Sequence, residues 1–175
     1  MKLYKLWIAG LCVAAGLAVT ARSRATRDEK SGAAACFAQI KTLAGDWLGK
    51  EEGGDKEQLI LRYRVTAGGT AVEETEFPGS EHEMITIYHL DGDNLLLTHY
   101  CHLGNQPRMK ATTASMASKI VFECAGGTGM KSHNDTHMHA AKLSFPDKDH
   151  ILSEWTLCEG GKPGFVAKFS ATRKK

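Results

Sequence analysis

The sequence predicts an all-β fold: one antiparallel up-and-down β-barrel of about ten strands, preceded by a short helix. Three observations carry this. From residue 46 the chain breaks into short runs rich in β-formers, at 46–53, 58–66, 70–77, 83–90, 94–102, 108–115, 118–124, 136–145, 150–158 and 164–172. Turn chemistry separates them, as in Ala67-Gly68-Gly69, Pro78-Gly79-Ser80, Asp91-Gly92-Asp93 and Gly160-Gly161-Lys162-Pro163. Finally, many consecutive strands on short links leave two edges unless the sheet closes on itself.

The helix is expected over residues 33–44, where Phe37, Ile40 and Leu43 recur at helical spacing and Gly45 is a natural stop. In the strands, alternation picks the inner face. Leu59, Leu61, Tyr63 and Val65 lie opposite Arg62 and Arg64. Ile120, Phe122 and Cys124 lie opposite Lys119 and Glu123, and Phe165, Ala167, Phe169 and Ala171 opposite Lys168 and Ser170. The longest break, 125–135, is glycine-rich and polar and is expected to be a mobile loop.

Residues 1–21 read as a signal peptide. Lys2 and Lys5 form a basic start, Leu6 to Val19 is almost wholly apolar, and Val19-Thr20-Ala21 suits signal peptidase. The apolar run is short for a membrane span, so no stable span is expected after cleavage. Leu11 before Cys12 speaks against lipidation. Residues 22–33 are expected to be a flexible linker and 34–175 the barrel domain, exported to the periplasm or secreted. Without Lys2 and Lys5 the chain has twenty basic and twenty acidic residues, a balance that argues against a nucleic-acid partner. Four cysteines remain, and an oxidising compartment permits disulfides. Cys101, Cys124 and Cys158 are the candidates, with Cys36 available to the one left over.

Gly45-Asp46-Trp47 at the first strand, with a helix before it and Arg173 in the last strand, resembles the lipocalin and fatty-acid-binding-protein (calycin) arrangement. The resemblance implies a barrel closed at one end by the G-x-W tryptophan, Trp47, with a late basic residue, Arg173, packed across it. On the meander these two share a rim, which permits a cation–π contact. The chain also resembles small exported bacterial proteins of unassigned function, a likeness that implies no activity.

The opposite rim collects the reactive side chains. Strand ends alternate between rims, so His82, His99, Cys101, His102, Cys124, His137, His139 and Cys158 should all fall at the same end. His137 and His139, two apart on a strand, project to one face, and that face continues through Ala141, Leu143 and Phe145. Two imidazoles on one strand can chelate a divalent metal, with His99 or His82 as a third ligand of a zinc- or copper-type set. Alternation puts His99 and Cys101 on one face and Tyr100 and His102 on the other, without deciding which is inner. With His137 and His139, the polar groups His99, Tyr100, Asn105 and Arg108 would line a mouth suited to a carboxylate-bearing or other oxyanionic ligand.

Among carboxylates, Glu73 is expected inside beside Thr75 and Phe77, with Glu74, Glu76 and Glu154 in solvent. Neither a phosphate-binding glycine motif nor a G-x-S-x-G element is present. The function expected is therefore an exported barrel that binds a small, partly apolar molecule. A metal- or haem-binding barrel is the alternative, and an enzyme using Cys101 or a histidine-held metal is the third. The residues specify neither a ligand nor an oligomeric state.

Overall fold

The computed structural model describes residues 32–50 and 56–175. The expected leader and most of the expected linker lie outside the described residues. Helix α1 covers residues 32–41. Ten strands follow: β1 (Gly45–Gly49), β2 (Gln58–Thr66), β3 (Ala71–Glu76), β4 (Met84–Asp91), β5 (Asn94–Tyr100), β6 (Gln106–Ala111), β7 (Lys119–Thr128), β8 (His137–Asp147), β9 (His150–Glu159) and β10 (Lys162–Arg173). Each pairs antiparallel with the next, and β1 pairs with β10 to close the barrel. Closure satisfies the backbone donors and acceptors that an open sheet would leave at its edges.

The turns do what their residues dictate. Gly92, between β4 and β5, has a φ of +56°, and Gly160 and Gly161, between β9 and β10, have +58° and +77°. L-residues with a side chain rarely adopt such values. The break expected at 125–135 is shorter than its composition suggested. Strand β7 runs on through Ala125-Gly126-Gly127-Thr128, paired with Gln106 and Pro107 across a bulge, so glycine here marks close backbone approach within a strand. Gly127 sits so close to Pro107 that a Cβ would lie 2.8 Å from its Cα.

One end of the barrel is closed by α1 and Trp47. Cys36, Phe37, Ile40 and Leu43 of this segment join a single buried cluster with Trp47, Leu61, Tyr88, Leu97, Met109, Phe122, Leu143 and Trp155. The indole of Trp47 is fully buried and donates Nε1–H to the Leu43 carbonyl at 2.8 Å. The Arg173 guanidinium stacks 4.3 Å from the Trp47 ring centroid and donates to the carbonyls of Thr42 (2.8 Å) and Ala44 (3.0 Å). Those carbonyls belong to the segment just after α1, where the backbone lacks helical partners. One cation thus ties the helix, β1 and β10 together.

Packing is tight where β1 meets its neighbours. A Cβ on Gly49 would collide with the Ile60 side chain and stand 2.5 Å from the Ser170 carbonyl oxygen. The carbonyl belongs to backbone and cannot rotate away. Gly49→Ala is expected to lower stability by about 1–3 kcal/mol, measured as a shift in the urea midpoint at constant slope.

Two face assignments need correction. Phe165 lies on the outside, 61% exposed, because a register shift between Pro163 and Val166 interrupts the alternation of β10. Val65 is also largely exposed at the end of β2. The assignments for β7 are as expected, with Ile120 and Phe122 buried.

Candidate functional site

The rim opposite Trp47 holds the chemistry. Cys124 of β7 and His137 and His139 of β8 bring their Sγ and ring nitrogens within 4.8 Å of one another. Among the described residues this is the group of three or more such side chains placed to share a metal ion. His137 Nε2 is 3.1 Å from His139 Nδ1. Two nitrogens bound to one tetrahedral zinc at ordinary bond lengths stand about 3.3 Å apart, so the spacing needs almost no adjustment.

His137 is held from behind. Its Nδ1 lies 2.7 Å from the carbonyl of Asp135, so Nδ1 carries the proton and donates it. That leaves a lone pair on Nε2, aimed at the cluster, which is how metal-binding histidines are commonly oriented. Asp135 is itself fixed by the loop. Its carboxylate accepts from Lys131 N at 2.7 Å and Ser132 Oγ at 3.0 Å, and these bonds hold its pKa below the ordinary range. Asn105 adds a second tie, donating from Nδ2 to the Thr136 carbonyl at 2.8 Å. The β5–β6 loop therefore braces the entrance to β8.

A bulge shapes the cluster. His137 pairs with Cys158 and Met138 with Leu157, but Ala140 pairs with Thr156, so His139 is the extra residue in β8. The bulge bends the strand and re-aims His139 toward His137. Cys124 rests beside them, its thiol 3.7 Å from the Gly126 carbonyl.

The other expected site residues are dispersed. His99 faces inward and is buried, which settles the β5 alternation, but it is not part of the three-donor group. Its Nδ1 is 2.8 Å from Thr86 Oγ1, and its ring lies 4.7 Å from that of Trp155. Burial lowers its pKa to about 4, so it is neutral at neutral pH. Tyr100 points outward and is half exposed. Arg108 is on the outer wall, lining a cleft of about 360 Å³ with His89, Leu96, Thr98 and Ala125. His82 and His102 stack edge to face at 5.1 Å. Cys36, Cys101, Cys124 and Cys158 are all free thiols, so the expected rim disulfide is not formed.

The carboxylate assignment on β3 is reversed. Glu73 points out and pairs with Arg64 at 2.8 Å, whereas Glu74 and Glu76 are buried. Phe77 misled the alternation. It lies beyond the strand with φ +52°, and its ring packs edge-on against Phe169 at 5.4 Å. The true inner face is Val72, Glu74 and Glu76. Glu154 is also mostly covered, sandwiched between Lys142 and Lys168 on the outer wall.

Compared with known proteins, the sequence matches no family model and no curated relative. No described helix is long and apolar enough to cross a membrane. The fold is compatible with a calycin-like barrel and with ligand binding.

Proposed function

We propose that this chain is a small metal-binding β-barrel that takes one zinc- or copper-type ion on Cys124 Sγ, His137 Nε2 and His139 Nδ1. The observation that carries this reading is the convergence of those three donors, with the His137 tautomer set by the Asp135 carbonyl. A thiolate with two imidazoles suits borderline and soft ions over calcium or magnesium. Three protein donors leave a fourth position for water or another ligand. The apolar run at residues 6–19 supports placing this activity outside the cytoplasm. A small organic ligand or haem inside the tube has less support, because Tyr88, Leu97, Met109, Phe122, Leu143 and Trp155 occupy the interior.

Metal-free protein titrated with Zn(II) should bind one equivalent, followed by calorimetry and native mass spectrometry. Cys124→Ser and His137→Ala should each weaken binding at least ~100-fold, since each removes a direct ligand, whereas loss of an outer partner costs about 10–100-fold. His99→Ala should bind as the parent does. Equal affinity in the parent and both ligand variants, or no binding at micromolar zinc, would reject the assignment.

A further inference from the structure

The rim cluster has a fourth atom beside it. The Cys124 thiol donates to the main-chain oxygen of Gly126 at 3.7 Å. A strand carbonyl ordinarily lies in the sheet and meets a neighbouring strand. At Gly126 the backbone is arranged otherwise. The ladder from β7 to β6 passes from Cys124 with Met109 to Gly127 with Pro107, so Ala125 and Gly126 together lie across from Arg108 alone. The ladder from β7 to β8 ends at Glu123 with Ala140. Gly126 also has a φ of +107°, a value that residues with a side chain rarely adopt. A Cβ there would meet nothing within 4 Å, so glycine serves the backbone angle and not a close contact.

The spacing fits a shared ion. A tetrahedral zinc with sulfur at about 2.3 Å and oxygen at about 2.1 Å holds those two atoms about 3.6 Å apart. The observed 3.7 Å matches, as the 3.1 Å between His137 Nε2 and His139 Nδ1 matches two bound nitrogens. The thiol proton between sulfur and carbonyl is the one an ion displaces into solvent on binding, because only the thiolate is a ligand. The carbonyl then loses a donor and gains a cation in the same place. Among the described residues no fourth His, Cys, Asp or Glu joins the group, so the fourth donor must be backbone or an outside molecule.

We propose that the Gly126 main-chain oxygen is the fourth ligand, closing the Cys124–His137–His139 set into one sulfur, two nitrogens and one oxygen. The fourth ligand presupposes the three-donor set proposed above and fills the position left open there. It also decides the class of activity. Catalytic zinc keeps an exchangeable position for water or substrate, whereas a structural or carrier site surrounds the ion with protein atoms. With Gly126 bound, the ion is held and shielded. The barrel then carries its metal, or is stabilised by it, and does no hydrolysis with it.

The test is the visible spectrum of the full-length protein loaded with Co(II), recorded with and without sodium azide. Cobalt occupies zinc sites, and its d–d bands change when an outside anion enters the coordination shell. The parent spectrum should not change in azide, because no position is free. Gly126→Ala should take up azide with a shifted spectrum. It should also hold zinc about 10–100-fold less tightly, the cost of a supporting contact and less than that of a thiolate or imidazole. Gly92→Ala imposes a similar backbone penalty in the β4–β5 turn at the other rim, where a Cβ again meets nothing within 4 Å. That variant should lose stability and keep a cobalt spectrum indifferent to azide. A parent spectrum that shifts in azide would reveal an exchangeable water in the fourth position and overturn the proposal, while the three-donor site stood. An azide-indifferent Gly126→Ala would overturn it too, because the carbonyl would then not be what fills the position. A protein that binds neither cobalt nor zinc would remove the three-donor site itself, and the fourth ligand with it.

Discussion

Trp47→Ala should destabilise the barrel by about 3–5 kcal/mol, the range for truncating a fully buried large aromatic, and leave little folded protein at 37 °C. The reason is local. Strand β1 is the shortest in the barrel, and its ladder to β10 has three paired positions, Trp47 with Arg173, Leu48 with Thr172 and Gly49 with Ala171. So short a seam does not hold a ten-stranded sheet closed by backbone bonds alone. Trp47 fills the end of the tube, anchors to Leu43, and offers its face to Arg173. Removing the indole leaves a cavity, an unpaired carbonyl, and a guanidinium without its platform. Arg173→Lys should cost less, about 1–2 kcal/mol, because an ammonium keeps a charge over the ring but cannot reach the Thr42, Ala44 and Lys148 carbonyls together. Urea unfolding of both variants measures the order. A Trp47→Ala midpoint within error of the parent would mean that the seam does not depend on this plug. Folded Arg173→Lys should still bind zinc, because the rim cluster is at the other end.

The fold was legible because turns and alternation agree. Asp91-Gly92-Asp93 and Gly160-Gly161 permit only tight reversals, and the runs between them alternate well enough to set faces, as Ile120 and Phe122 do on β7. Counting strand ends was enough to bring β7 and β8 to one rim. What periodicity could not supply was register, and the site depends on it. Cys124 approaches the histidines because β7 continues past it and β8 bulges at His139. A bulge leaves little trace in residue type. Glu74 and Glu76 were hidden for a different reason. In Ala71-Val72-Glu73-Glu74-Thr75-Glu76 neither face is apolar, so Phe77 alone decided the alternation and put Glu73 inside. Only the tyrosines opposite, Tyr63 and Tyr88, make the inward choice possible, and they belong to other strands. The available signal was Tyr63, which sits with Leu59 and Leu61 on an otherwise apolar inner face, where a phenol requires a partner.

That inward pair makes stability depend on pH in an unusual direction. Burial raises the Glu74 pKa from 4.5 to about 7, opposed in part by hydrogen bonds from Tyr88 and Tyr63, and burial together with the neighbouring Glu74 charge raises that of Glu76 well above the ordinary value. For a raised carboxyl the folded state binds more protons than the unfolded chain. Its contribution is fully present below pH 4.5 and is lost as the pH climbs through about 7. For Glu74 the loss is roughly 3 kcal/mol. His99 acts oppositely. Burial depresses its pKa from 6.5 to about 4, so its contribution is present above 6.5 and is lost as the pH falls toward 4. Between pH 4.5 and 6.5 the two glutamate terms outweigh the single histidine term, so the parent protein already loses some stability there as the pH rises. Above 6.5 His99 no longer changes, while the Glu74–Glu76 pair continues to ionise, so stability should fall into the alkaline range. Replacing both glutamates by glutamine removes that fall and exposes the His99 term. The double variant should gain stability from pH 4 to 6.5 and hold it at pH 8, where it should exceed the parent by a few kcal/mol. Urea midpoints at pH 5, 6.5 and 8 distinguish the profiles. A parent midpoint that does not drop between pH 6.5 and 8 would mean that Glu74 and Glu76 already ionise in the folded barrel, with a cation or an open path to water inside it.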